Sequence, residues 1–439
     1  MKRINLVEYR DKINAISPSF CAAKWKQVTL HLHNGHTHSC HHPMTHLVPL
    51  EELSVNPSAL HNTNFKKQQR KMMLEGQRPS ECDYCWRVED NDPEAFSDRI
   101  HKTTDKWARD SIQEIVSSPW DADIAPSYLE VSFSNVCNFK CSYCSPNISS
   151  QWMEEIERHG PYPTSTRFNN LEWFKSQGQM PIPHREHNPY VEAFWKWFPD
   201  IYNSLMHFRI TGGEPLLSKD TFKVLDYINA NPSTKLNFSV NSNLCPPDAI
   251  FDTFIQRIKT IKVEQFTLYT SCEAYGEQAE YIRHGLNYKQ WLSNLKRILD
   301  EVPNSKVSVM STYNFLSAFS YDKFLEDIKQ LKTDYSNERV TLDIPYLRHP
   351  AHQTIFIAPE IVEPYMAKQL SMFDSSFTTA EVGKFTRTYN LIKDAKTDDI
   401  VNQKDFVLFV NEHDKRRGTD FLKTFPELSK IFSAWSQLV

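Results

Sequence analysis

Cys137, Cys141 and Cys144 fall within the run CNFKCSYC, three thiols in eight residues. Thiolates are soft ligands, and three on one loop can hold three irons of a four-iron, four-sulfur cube. The fourth iron is then open to a small chelating molecule. Structural zinc sites pair C-x2-C units, which C-x3-C-x2-C is not. A second group consists of Cys21, Cys40 and the C-x2-C pair Cys82 and Cys85. Four cysteines can ligate every iron of a cluster, which makes electron transfer their natural role, with a four-cysteine zinc site as the alternative. Seven of the nine cysteines lie in these groups. In a chain without a recognisable secretory signal, that spacing points to metal rather than disulfides.

The elements that carry these groups are legible from periodicity. From Tyr128 onward, short apolar runs at 129–134, 208–211, 236–243, 266–271, 307–313 and 340–344 read as six strands. Helices are expected between them over 220–230, 249–259, 288–300 and 321–331. This alternation implies a parallel sheet with crossover helices, and six units suggest a partial (β/α)6 barrel that need not close. Chemistry is expected at its C-terminal strand ends, where CNFKCSYC follows the first strand directly. TGGEP, Thr211 to Pro215, closes the second strand. Gly212 and Gly213 let backbone groups approach a ligand, and Glu214 can accept from an ammonium group. On the third strand Asn237, Ser239, Asn241 and Asn243 alternate with Phe238 and Val240, giving one face a polar stripe. If Ser271 on the fourth strand faces a ligand, the same alternation turns Cys272 away.

The fold class expected is α/β. A small cluster-binding domain with its linker occupies 1–125, the barrel 126–350, and a helical region assigned to packing 351–439. An insertion at about 146–205 carries Trp173, Phe174, Tyr190, Phe194, Trp195, Trp197 and Phe198, which either line a substrate groove or pack a helix. His31, His33, His36, His38, His41, His42 and His46 are expected on exposed or strand-face positions rather than as ligands. Hydrophobic residues at 40% and charged ones at 24% are values of a folded globular protein. A net charge of -4 gives no chain-wide basic field for nucleic acid. No run approaches the roughly 18 apolar residues of a membrane span, and residues 1–20 lack a signal-peptide core, so a soluble, cytoplasmic protein is expected.

Together these motifs resemble those of the radical S-adenosylmethionine (SAM) superfamily, whose signature is this three-cysteine spacing with an aromatic, here Tyr143, before the last cysteine. The resemblance implies a [4Fe-4S] cluster on Cys137, Cys141 and Cys144 that binds S-adenosyl-L-methionine. An electron from an external flavodoxin- or ferredoxin-like donor would cleave it to methionine and a 5'-deoxyadenosyl radical, which removes hydrogen from the substrate. By the same resemblance Gly212, Gly213 and Glu214 bind the methionine amino group, and Asn243, then Asn241, approach the ribose. Ser-x-Glu-Ala and the following YIRHG resemble motifs of peptide-modifying members, which would give Ser271 and Arg283 the carboxylate. Cys21, Gly35, Cys40, Cys82 and Cys85 resemble the opening half of the SPASM or twitch auxiliary-cluster domain, here ahead of the barrel. This implies an auxiliary [4Fe-4S] cluster and a peptide or amino-acid-like substrate, with a sugar, nucleoside or nucleic acid as the alternative. Cys245, just past the polar strand, is a candidate hydrogen donor to a substrate radical.

Overall fold

Alternation of apolar and polar residues decides which way each strand of the sheet faces. The computed structural model describes residues 5–397 and 399–439; the first four residues of the expected N-terminal domain and Asp398 lie outside them. Its strands are β1 (Gln27–His31), β2 (His36–His38), β3 (His46–Leu47), β4 (Tyr128–Ser132), β5 (Lys140–Cys141), β6 (His207–Thr211), β7 (Ser233–Ser242), β8 (Val263–Ser271), β9 (Arg283–His284), β10 (Ser305–Met310) and β11 (Val340–Asp343). Nine join one sheet in the order β11-β10-β8-β7-β6-β4-β1-β2-β3, while β5 and β9 form a separate ribbon. The six strands expected from periodicity are β4, β6, β7, β8, β10 and β11, parallel neighbours in chain order. Helices Lys219–Ala230, Asp248–Lys259, Tyr288–Glu301 and Tyr321–Tyr335 connect them.

One sheet face is apolar and sealed. Leu129, Val131, Phe208, Ile210, Phe238, Val240, Leu268, Val307 and Val309 are buried in the main core. Each such side chain contributes about 1.5–3 kcal/mol relative to exposure. The alternate positions, Glu130, Arg209, Asn241 and Tyr269, are only partly buried and make the opposite face polar. Parallel sheets usually bury apolar residues on both faces. A polar face is instead suited to a polar ligand.

Hydrogen bonding of the sheet continues across the boundary expected at residue 125. β1 pairs in parallel with β4 from Gln27↔Tyr128 to His31↔Ser132, and β2 and β3 extend the sheet antiparallel. The N-terminal unit also has its own core, including Phe20, Trp25, Met73, Trp86, Ile100 and Trp107. Of the histidines expected at exposed or strand-face positions, His31, His36, His38 and His46 lie on these strands, and His33, His36 and His38 are buried rather than exposed. His31 Nε2 lies 3.1 Å from His38 Nε2, and His33 Nδ1 lies 3.0 Å from Ser132 Oγ.

The insertion folds as helices Ser150–His159, Leu171–Ser176 and Pro189–Tyr202. Tyr190, Phe194, Trp197 and Phe198 are buried, so for them the helix-packing alternative applies, whereas Trp173 is 54% exposed. The region after 350 is helical, including Thr379–Ile392 and Ile400–Arg417. Among the described residues, no helix is long and apolar enough to cross a membrane.

Candidate functional site

Cys137, Cys141 and Cys144 are partly buried residues on the loop that leaves β4, packed against the main core. The loop is fixed from several sides. Cys137 Sγ accepts from the Phe139 amide at 3.4 Å, and Trp152 Nε1 donates to the Cys141 carbonyl at 2.8 Å. β5 pairs with β9, setting Cys141 opposite Arg283 and Lys140 opposite His284. The YIRHG run therefore clamps the cysteine loop. Gly285 sits at φ +110°, where a Cβ would come within 2.7 Å of the Asn138 carbonyl oxygen. Only glycine permits that approach.

Burial pushes all three thiols up, Cys144 to about 12, and in each case the negative charge of a neighbouring thiolate or carboxylate adds to the effect. Arg283 and Arg417 oppose this at Cys141 and Cys144. Arg283 Nη1 lies 3.6 Å from Cys141 Sγ. The two guanidinium charges favour the thiolate form that a metal requires. The donor set therefore fits an iron–sulfur cluster with an open coordination position.

TGGEP abuts this loop. Gly213 and Glu214 donate their amides to the Ser134 and Val136 carbonyls at 3.1 and 2.7 Å. A Cβ on Gly213 would stand 2.3 Å from the Val136 carbonyl oxygen, and one on Gly212, at φ +126°, 2.7 Å from Ser132 Oγ. The Glu214 carboxylate accepts from the Leu216 amide, Ser242 Oγ and the Asn243 amide at 3.0, 2.8 and 2.6 Å. Burial nonetheless pushes its carboxyl up to about 7. Asn243 Nδ2 donates to Asn138 Oδ1 at 2.7 Å, tying the end of β7 to the cysteine loop.

Other expected ligand residues have protein partners. Asn241 Oδ1 accepts from Arg209 Nε at 2.9 Å on the polar face. Arg283 forms an ion pair with Glu273, Nη2 to Oε2 at 2.7 Å, and donates to the Tyr143 hydroxyl, which in turn donates to Glu273 Oε1 at 3.0 Å. Ser271 ends β8 opposite Met310. Cys137, Cys141, Tyr143, Cys144, Gly212, Gly213, Glu214, Asn243 and Arg283 thus converge at one end of the sheet, while Asn241 points to Arg209.

Several residues here escaped the sequence reading. Glu273 is 1% exposed at the centre of the Arg283–Tyr143 network, and its signal was its place in Ser-x-Glu-Ala. Arg417, in the tail assigned to packing, donates to the Lys140 carbonyl at 2.7 Å and grips Glu155 at 3.2 Å. No local pattern marks it.

In the N-terminal unit Cys21, Cys40, Cys82 and Cys85 line one cavity with Met73, Trp86 and Lys102. Burial pushes the Cys82 and Cys85 thiols up to about 12, with Lys24 opposing at Cys82. Cys272 is fully buried and bonded to the Ala274 carbonyl at 3.4 Å; Cys245 is 7% exposed and bonded to the Asn287 carbonyl at 3.5 Å. A cleft of about 880 Å3 opens beside the strand ends. It is lined by Phe133 and Val136, by Leu217 to Asp220, and by insertion residues including Trp195.

Comparison with known proteins finds a match to the Radical SAM superfamily model over residues 131–331. GTP 3',8-cyclase of Pasteurella multocida (strain Pm70) is 30% identical over 108 residues, 25% of this chain. The chain spans 23% of that protein's length. Streptococcus suis SuiB, solved bound to precursor peptide SuiA, aligns over 84% of this chain and 66% of its own at 11% identity and a TM-score of 0.32. Residues 131–331, which include the cysteine loop, the TGGEP turn and Arg283, are a radical SAM superfamily domain, the domain of an enzyme class.

Proposed function

We propose that the protein is a radical SAM enzyme that cleaves S-adenosyl-L-methionine reductively and removes hydrogen from a peptide or amino-acid-like substrate. The observation that carries this reading is the convergence of the three-cysteine loop with the TGGEP turn at one end of a sheet that has one polar face. When bound, a [4Fe-4S] cluster on Cys137, Cys141 and Cys144 supplies the electron that splits the sulfonium. The chain's own residues provide orientation and exclusion of water. Gly212 and Gly213 bring the TGGEP backbone against the cysteine loop, and Glu214 would receive the methionine ammonium. Asn243, hydrogen-bonded to Asn138, would present its amide near the ribose. Arg283, with Ser271, would meet the carboxylate only by sharing its fork with Glu273.

The auxiliary reading assigns Cys21, Cys40, Cys82 and Cys85 a second [4Fe-4S] cluster in an N-terminal twitch-like unit, serving electron transfer. Its support is that all four line one cavity although they come from separate elements. A peptide substrate is supported by the cleft beside the strand ends, whose size is that of a ligand site. A nucleotide substrate is the second reading, favoured by the local similarity to GTP 3',8-cyclase. The electron donor would be a flavodoxin- or ferredoxin-like protein.

The test is anaerobic reconstitution with iron and sulfide, then dithionite and S-adenosyl-L-methionine. Formation of 5'-deoxyadenosine is expected, and its absence from fully loaded protein sinks the reading. Faster cleavage with candidate peptides than with nucleoside triphosphates supports the first substrate class, and the reverse order supports the second.

A further inference from the structure

Most of the Arg283 fork is occupied by the protein itself. Glu273 Oε2 stands 2.8 Å from Arg283 Nε and 2.7 Å from Nη2, and a further Nη2 hydrogen goes to the Tyr143 hydroxyl. Of the five N–H donors on a guanidinium, the pair on Nη1 is left over. Among the described residues their partner is Cys141 Sγ, 3.6 Å away.

The surrounding backbone builds this contact. Cys141 and Arg283 are directly opposed in the β5–β9 ribbon, which the Ser142 amide closes further by donating to the Ile282 carbonyl at 2.7 Å. Opposed residues of such a pair present their side chains on one face. Behind the guanidinium, Glu273 is buried, and its other oxygen, Oε1, accepts from Tyr143 at 3.0 Å. The sulfur therefore meets the positive end of a fixed ion pair. Arg283 is itself buried, and a guanidinium keeps its charge there, unlike an ammonium or an imidazole. Burial raises the Cys141 thiol, and Arg283 is the strongest of the groups that oppose it.

Resting on the radical SAM reading above, we propose that Arg283 is a hydrogen-bond donor to the Cys141 ligand sulfur, locked there by Glu273 and Tyr143, and that it raises the reduction potential of an iron–sulfur occupant of the first site. In this role it is a positioning residue that acts through Cys141, apart from any contact with the carboxylate of the sulfonium. Three thiolates outweigh the charge of an oxidised, dipositive core, and uptake of one electron from the external donor, with no bond made or broken, adds to that excess. A cation and its N–H at the sulfur stabilise the reduced state more than the oxidised one, so the potential rises.

The test is a potentiometric titration followed by electron paramagnetic resonance on full-length reconstituted protein, with dithionite and redox mediators and without S-adenosyl-L-methionine. The spectrum of Cys141→Ala protein gives the second-site contribution to subtract. Arg283→Gln combined with Glu273→Gln leaves neither partner of the pair charged. This double variant is expected to keep its iron and lower the midpoint by at least about 59 mV, a tenfold change for a one-electron couple. Arg283→Lys keeps a cation without the fork and should lower it less. A residue that meets only the cofactor's carboxylate would weaken S-adenosyl-L-methionine binding in calorimetry and leave this midpoint in place. A merely structural pair would cost melting temperature or iron alone. Iron retained with an unmoved midpoint in the double variant overturns the inference and leaves the radical SAM reading standing. A parent spectrum with no signal beyond that of Cys141→Ala overturns both. If the double variant does not accumulate loaded, an unmoved Arg283→Lys midpoint overturns the inference by itself.

Discussion

The two cysteine groups reach their sites by opposite routes. Cys137, Cys141 and Cys144 share one short run whose geometry is local, and neighbours as distant as Trp152, Arg283 and Arg417 only steady it. Cys21, Cys40, Cys82 and Cys85 come from the segment before helix Ala23–Lys26, a loop after β2, the 3-10 helix Ser80–Cys82 and the helix Asp83–Asn91. Their cavity exists only once the N-terminal unit has folded. A local site can leave a coordination position open and still be well defined, whereas a dispersed one couples metal binding to folding.

That contrast can be broken most sharply at the ligands. Cys141→Ala is expected to reduce 5'-deoxyadenosine formation to background, beyond the roughly 100-fold typical of changes outside a ligand set. Retained cleavage would contradict the assignment. Cys82→Ala should instead lower iron by up to one cluster and depress the melting temperature, since folding of that unit is linked to its occupant. Substrate-independent cleavage should survive it, and iron analysis beside a cleavage assay tests both.

Smaller effects sharpen the local site. Gly213→Ala forces a methyl against the Val136 carbonyl, so a loss of about 1–3 kcal/mol in stability is expected together with weaker S-adenosyl-L-methionine binding, read by calorimetry. Arg417→Met leaves the Lys140 carbonyl without its donor and Glu155 with one cation fewer. It should cost about 1–3 kcal/mol in denaturant melts and speed iron loss from the first site.

The mildest prediction concerns pH. Glu214 has its carboxyl raised by burial from 4.5 to about 7. The unfolded chain therefore releases this proton before the native protein does, and the contribution of Glu214 to stability, full below pH 4.5, falls as pH rises to about 7. The melting temperature of Glu214→Gln relative to the parent, both without cofactor, should climb across that window. A flat difference would show that the carboxyl titrates normally.

Much of the central sheet was legible because each strand alternates in a two-residue period and each crossover helix follows its own. β7 spans Ser233–Ser242, and its polar stripe was readable residue by residue. Cys272, which the same alternation sets opposite Ser271, is fully buried. What periodicity could not supply was partnership. The histidines of β1 and β2 could be read as strand-face residues but not as buried ones, because nothing local announces that Gln27–His31 will pair with Tyr128–Ser132 a hundred positions later. Arg283 was readable as a cation near the cofactor, but its ion pair with Glu273 depends on how β8 and β9 meet in space.

The sequence by itself determined the two cysteine groups, their spacing, and the strand and helix periods that set the three-thiol loop at a strand end, since these are properties of neighbours along the chain. Only the tertiary structure decided that four dispersed cysteines share a cavity and that a helix of the tail grips the first cysteine loop through Arg417. Those facts arise from packing between segments far apart in sequence. Their energies come from burial and charge, which no local pattern encodes.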